Sequence, residues 1–310
     1  MFQTFEGVFG ILLIVAVGYY LSQKRFMDTA STQFLTKLAA KIAIPCMLFN
    51  NAITNFTIDF LRSTGWGLLI PFCVIVILHG VAYISALLLR LPSSDRGVFC
   101  AMISMPNTLS IGLPITLAIF GTSGIPYVMA FYVATALFFW GFAVKMIARD
   151  AGIRESSRLE AIKKIFTPPL LAFLLGAAIN MTGINMPKSF LIATGNLGAM
   201  TTPLTLLLTG SILAEMGREA FRLDKTGIIT LLGRLALSPV VCLVICLGAS
   251  LPHEITENYT VQSGLPSMNQ VMLMSKYYGA NQRLCAQMLT LTTLLSLLSI
   301  PMVILVLTYI

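Results

Sequence analysis

Charged side chains are few: only 10% of the 310 residues are Asp, Glu, Lys or Arg, against 57% that are hydrophobic. With a mean hydropathy of +0.87, the chain lacks the polar surface needed to coat a water-soluble globule, which excludes soluble enzymes and free-standing binding modules. None of the 12 acidic residues falls at the centre of an apolar stretch; Glu6 and Glu215 lie towards stretch ends. Carboxylates inside a bilayer are the usual carriers of protons or sodium, so an ion antiporter is disfavoured. The six cysteines contain no C-x-x-C pair and lie inside apolar stretches, where they read as small packed hydrophobes. No metal or other cofactor is expected. No Ser–His or Asp–Asp pairing suited to covalent or acid–base chemistry is evident either, so the chain is not expected to be an enzyme.

What the sequence does have is a succession of apolar stretches, each of the roughly 20 residues needed to cross a bilayer. Turn and charge punctuation places ten helices, near 5–22, 33–53, 64–89, 96–120, 126–148, 168–184, 190–216, 226–250, 256–279 and 284–309. The first stretch, Phe5 to Leu21, has no basic segment before it and no small-residue cleavage pattern after it, and is expected to be a mature helix. All but Arg62, Lys188 and Arg234 of the 20 basic residues lie in loops on one side. Basic loops stay cytoplasmic, which puts both termini on the outer face of a cytoplasmic membrane. The net charge of +8 is spread over these loops and reads as topology, with lipid as the partner and no nucleic acid.

Five helices is an odd number, so a second half must enter the membrane from the opposite side to the first. The expected division is 1–150 as a first five-helix repeat, 151–167 as a cytoplasmic linker and 168–310 as a second, inverted repeat. Landmarks recur in order: Gly18 and Gly176, Pro45 and Pro203, Pro71 and Pro239, then Met105-Pro106-Asn107 and Leu265-Pro266-Ser267.

The fourth and ninth helices carry helix breakers among polar groups. Pro106 has no N–H and clashes with the preceding turn, and Asn107 is a favoured N-cap. Ser267 with Gln270 three residues on has the form of a capping box. Each span is therefore expected to break and restart, with Gly112 and Gly264 allowing a close crossing. Two half-helix starts facing one midplane point would gather unpaired N–H groups and positive dipole ends, an anion site. The expected substrate-binding residues are Pro106, Asn107, Thr108, Gly112, Pro114, Pro266, Ser267, Asn269 and Gln270, with Asn50 and Asn51 from the second helix. Possible proton or gating roles fall to His79, Arg234, Lys276 and Tyr277. Arg234 is costly inside a bilayer unless it faces a cavity or a partner; carbonyl pairing, snorkelling and substrate contact all stay open.

The chain resembles the auxin efflux carrier family, which groups plant auxin transporters with bacterial carriers of malonate or malate type. The resemblance rests on Met105-Pro-Asn-Thr-Leu-Ser-Ile-Gly-Leu-Pro114, on Leu265-Pro266 through Lys276-Tyr277-Tyr278, and on Gly18-Tyr19 with Lys24, Ile44-Pro45, Pro168-Pro169 and Arg234 ahead of Pro239. It implies a ten-helix fold with a scaffold and a mobile transport part, helices four and nine crossing, and a carboxylate bound at the crossing. The family's crossover asparagine falls on Asn107 and its crossover prolines on Pro114 and Pro266. The long central cytoplasmic domain of the plant members and their acidic residue in the third span are missing, which favours a compact prokaryotic carrier.

The expected function is secondary transport of small mono- or dicarboxylates by alternating access. A sodium-coupled symporter built like a bile-acid carrier and a non-transporting membrane sensor are the alternatives. Oligomeric state, including a homodimer, is left open.

Overall fold

In the computed structural model, residues 2–55, 62, 64–153, 166–215 and 224–309 are described. Most of the expected linker, with Arg154, Arg158, Lys163 and Lys164, lies outside the described residues, as do Arg218 and Arg222. Every extended element among the described residues is helical. In chain order they are α1 (Phe2–Gln23), α2 (Thr29–Leu38), α3 (Ile44–Asn55), α4 (Ile70–Leu88), α5 (Ser93–Ser104), α6 (Leu113–Phe120), α7 (Ile125–Phe138), α8 (Val144–Asp150), α9 (Pro168–Thr182), α10 (Lys188–Ala199), α11 (Thr201–Glu215), α12 (Lys225–Leu232), α13 (Ser238–Gly248), α14 (His253–Ser263), α15 (Asn269–Tyr278) and α16 (Gln282–Leu307).

Local chemistry accounts for many boundaries. Asp28 accepts from the Ser31 amide to start α2, Thr167 caps α9 ahead of Pro168 and Pro169, and Asn281 caps α16; each satisfies an otherwise orphaned first-turn N–H. Gly183 and Gly279 end α9 and α15 in the left-handed conformation, which a residue without Cβ adopts freely. π-helical turns at Ala39–Ala43, Thr108–Gly112 and Gly233–Leu237 each end two residues before a proline, Pro45, Pro114 and Pro239. The missing proline N–H and the ring's clash with the preceding turn are absorbed by widening that turn. A fourth π turn, Phe139–Ala143, has no such proline, and nothing in the structure explains it.

Among the described residues, five stretches are long and apolar enough to cross a membrane: Gly65–Leu88, Thr108–Asp150, Lys188–Ser211, Lys225–Gly248 and Gln282–Leu307. Leu13–Gln23 and Pro168–Thr182 are shorter apolar helices.

The chain forms two compact units. One combines Met1–Gly65, Leu109–Met129 and Phe166–Glu215; the other combines Trp66–Thr108, Ala130–Ile165 and Met216–Ile310. Each draws on both halves of the sequence, so sequence halves and compact units divide the chain differently.

In the first unit α1 packs along α11, and α9 along α3. The contacts are close because glycines stand where the backbones meet. A Cβ on Gly18 would strike the Leu207 carbonyl, and one on Gly176 would lie 2.5 Å from the Phe49 carbonyl oxygen. Gly18 and Gly176 are 158 positions apart, as are Phe49 and Leu207, so one helix–helix contact is built twice, as an internal repeat requires. Small residues permit such close approach without help from water exclusion.

In the second unit α4 packs on α5 and α13, α5 on α8, and α16 on α14 and α15. Gly97 of α5 donates its N–H to Asp150 Oδ2 at 2.6 Å, tying α5 to the end of α8. The unit is polar inside: Ser104, Arg234, Ser238, Gln262, Ser263, Ser267 and Thr292 have no exposed surface. Its helices turn apolar residues outward, with Ile84 58%, Val244 62% and Leu298 68% exposed. A soluble protein places its large aliphatic residues the other way round; this distribution suits hydrocarbon.

Candidate functional site

The site is built where two helices of the second unit stop. α5 ends at Ser104, and Met105 is extended, with φ −98 and ψ 105, as expected of a residue placed before proline. α14 ends at Ser263, and α15 starts only at Asn269. The gaps pair with each other through an isolated antiparallel bridge between Pro106 and Ser267. Asn107 N–H donates to the Pro266 carbonyl at 2.9 Å, and Met268 N–H to the Met105 carbonyl, also at 2.9 Å. Each gap thus satisfies main-chain groups of the other, which an apolar surrounding demands.

Most of the last-turn carbonyls of both helices also have named partners. In α5, Ala101 accepts from Met105 N–H, Met102 from Ser267 Oγ at 2.7 Å and Ile103 from Arg234 Nη1 at 2.7 Å. In α14, Thr260 and Val261 share Gly264 N–H, and Gln262 accepts from Leu265 N–H. The Ser263 carbonyl takes Arg234 Nη2 and Ser238 Oγ at 2.8 Å, and beyond the helix end Arg234 Nε reaches the Leu265 carbonyl at 2.9 Å. Arg234 Nη2 also donates to Ser238 Oγ at 3.0 Å. Of the roles open to Arg234 in the sequence, the structure selects carbonyl pairing: the side chain is wholly buried and makes no ion pair among the described residues.

The donors on the other side of the junction are less fully used. Ser267 N–H reaches Thr292 Oγ1 at 3.1 Å, but α15 has Met268 at its N-cap and no side-chain cap. The expected capping box is not formed, because the Ser267 hydroxyl is committed to the Met102 carbonyl, and Met268 rather than Ser267 stands at the N-cap of α15. Asn107 is 4% exposed, and its Nδ2 has no hydrogen-bond partner. A buried amide donor and an uncapped helix start therefore both belong to this junction.

The other expected residues are distributed as follows. Pro106, Thr108 and Pro266 are buried in the same unit, Asn269 is half-buried and Gln270 is exposed. Gly264 does not mark a tight crossing: a Cβ there would meet Pro239 at 3.6 Å, an ordinary contact. The close approach is made by the bridged backbones instead. Gly112, Pro114, Asn50 and Asn51 belong to the first unit. There Asn50 Oδ1 accepts from Thr194 at 3.1 Å while its Nδ2 is unpaired, and Asn51 Nδ2 donates to the Thr122 carbonyl at 3.3 Å.

His79 shares a hydrogen bond with Ser104 Oγ at 2.9 Å, and its ring lies against Phe138 and Phe142. It lines a cavity of about 610 Å³ that includes Lys145 and Arg149. The Lys276 side chain lies outside what is described, and Tyr277 is 73% exposed. Sequence reasoning missed Ser238, Ser263 and Thr292. The one available signal was Ser238 standing four residues after Arg234, on the same helix face.

A chain that is helical throughout its described residues, with apolar outward faces and helices that pair their gaps, is a multi-pass membrane protein of the transporter class. It belongs to the membrane transport protein family, which includes the auxin efflux carriers: the family model matches residues 3–157 and again 150–304. The double match fits an inverted repeat. The chain is 25% identical over 299 residues to an uncharacterized transporter of Methanothermobacter thermautotrophicus, covering 96% of each chain. It is 24% identical over 312 residues to an uncharacterized transporter of Methanocaldococcus jannaschii, covering 94% of this chain and 95% of that one. These similarities indicate a transporter and not an enzyme.

Proposed function

We propose that the protein is a secondary transporter for small organic anions, mono- or dicarboxylates, with ten spans in two inverted five-helix repeats. The fourth and ninth spans are the interrupted ones, and the substrate carboxylate sits at their junction. In this reading the Pro106–Ser267 junction opens alternately to the two sides of a cytoplasmic membrane, with both chain termini on the outer face.

The observation that carries the proposal is the buried, unpaired Asn107 Nδ2 beside the uncapped start of α15. An unsatisfied buried donor is destabilising by about 1–3 kcal/mol, and a helix start favours an anion. A carboxylate oxygen meets both demands at once. Thr108 and Asn269 add neutral hydrogen-bonding groups, and the wholly buried Arg234 supplies a positive charge to the same unit. Ser267 holds the backbone in place through Met102 and Thr292.

Two measurements test this. Thermal unfolding of the purified protein should shift upward with one class of small carboxylate and not with matched neutral amides or alcohols. Asn107→Ala should fold and insert normally, yet lose about 1.5–3 kcal/mol of anion binding, roughly 10- to 150-fold in affinity, with flux into proteoliposomes falling accordingly. Unchanged flux in that variant removes Asn107 from the site, and equal stabilisation by neutral analogues rules out a carboxylate.

A further inference from the structure

Arg234 is held the way a free alkali cation would be held. Its guanidinium meets the main-chain carbonyls of Ile103, Ser263 and Leu265 and the hydroxyl of Ser238, and Ser238 is in turn 2.8 Å from the Ser263 hydroxyl. The carbonyls of Ile103 and Ser263 belong to the last turns of α5 and α14, the negative ends of their dipoles. Every polar partner is a neutral oxygen. Helix C-termini and unwound carbonyls are the oxygen set with which secondary carriers bind coupling cations, because such oxygens replace an ion's hydration shell. A guanidinium in that position is bonded to the chain and keeps its charge.

We infer that Arg234 is a built-in cation: it permanently fills the place that a bound sodium or potassium ion would take between the two helix ends. The junction then keeps its shape without any dissolved cation, and a fixed positive charge stands behind the anion site. The second consequence rests on the proposed function; the first does not. Removing the guanidinium while leaving its oxygens should open a vacancy that a small cation can refill.

The test uses the full-length protein, unfolded thermally in sodium, potassium or N-methylglucamine chloride at equal ionic strength. The wild type and Arg234→Lys, which keeps the charge, are expected to unfold at the same temperature in all three salts. Arg234→Ala is expected to be least stable in N-methylglucamine and to regain about 5 °C or more in about 100 mM sodium or potassium, or with millimolar guanidinium. The proposal is overturned if the wild type needs sodium, if Arg234→Lys responds to the cation, or if Arg234→Ala responds to none. An Arg234→Ala protein that never folds even with these cations present also overturns it. No carboxylate enters these readouts, so this proposal and the anion-transport reading fail independently.

Discussion

Arg234→Met is expected to lose most of its folded protein. The substitution withdraws donors from the carbonyls of Ile103, Ser263 and Leu265 together, around a side chain that is wholly buried. Each buried acceptor left unsatisfied typically destabilises by about 1–3 kcal/mol, so losing several at once takes a large share of a net stability of about 5–15 kcal/mol. Methionine occupies much of the vacated volume, so no room is left for an ion and sodium should not rescue this variant, in contrast to Arg234→Ala. The check is the yield of monodisperse protein and its unfolding temperature. A methionine variant as stable as the wild type would mean that those carbonyls find other partners, and Arg234 would no longer be the clasp between α5 and α14.

Gly18→Leu and Gly176→Leu should both be severely destabilised, and by similar amounts. Each new side chain would be driven into a main-chain carbonyl, of Leu207 or of Phe49, which no rotamer change relieves; overpacking of this kind costs about 1–3 kcal/mol or more. Gly80 is the control, because a Cβ there meets nothing within 4 Å and Gly80→Ala should change stability by less than about 0.5 kcal/mol. Unfolding temperatures of the three variants decide the matter. If only one of the paired positions is sensitive, the two contacts are not energetic equivalents and the repeat is topological only.

Much of the junction could be read from residue order because its causes are local. Proline removes a donor wherever it stands, and so Pro106 and Pro266 mark the ends of α5 and α14 without reference to anything distant. Asn107 was legible as a polar group in an apolar run. The cap of α15 was misread because the Ser267 hydroxyl is drawn to the Met102 carbonyl, 165 positions away; a capping-box pattern considers only its own four residues. Gly264 was misread for a related reason, since a glycine suggests a close approach but only the neighbouring backbone says whether one exists. The sensible range of roles for Arg234 was visible, but not the choice among them.

Residue composition and the placement of prolines, glycines and basic loops are enough to establish a helical membrane protein of a transporter family whose landmarks repeat. These follow from short-range chemistry: transfer of apolar side chains from water, missing N–H groups and steric clashes within one turn. Three matters required the folded molecule: that the two gaps satisfy each other, that Arg234 binds Ile103 from 131 positions away, and that each compact unit draws on both halves. The reason is that a main-chain carbonyl is the same group at every position. Only folding brings a particular carbonyl within reach of a particular guanidinium, and no residue pattern along the chain records that distance.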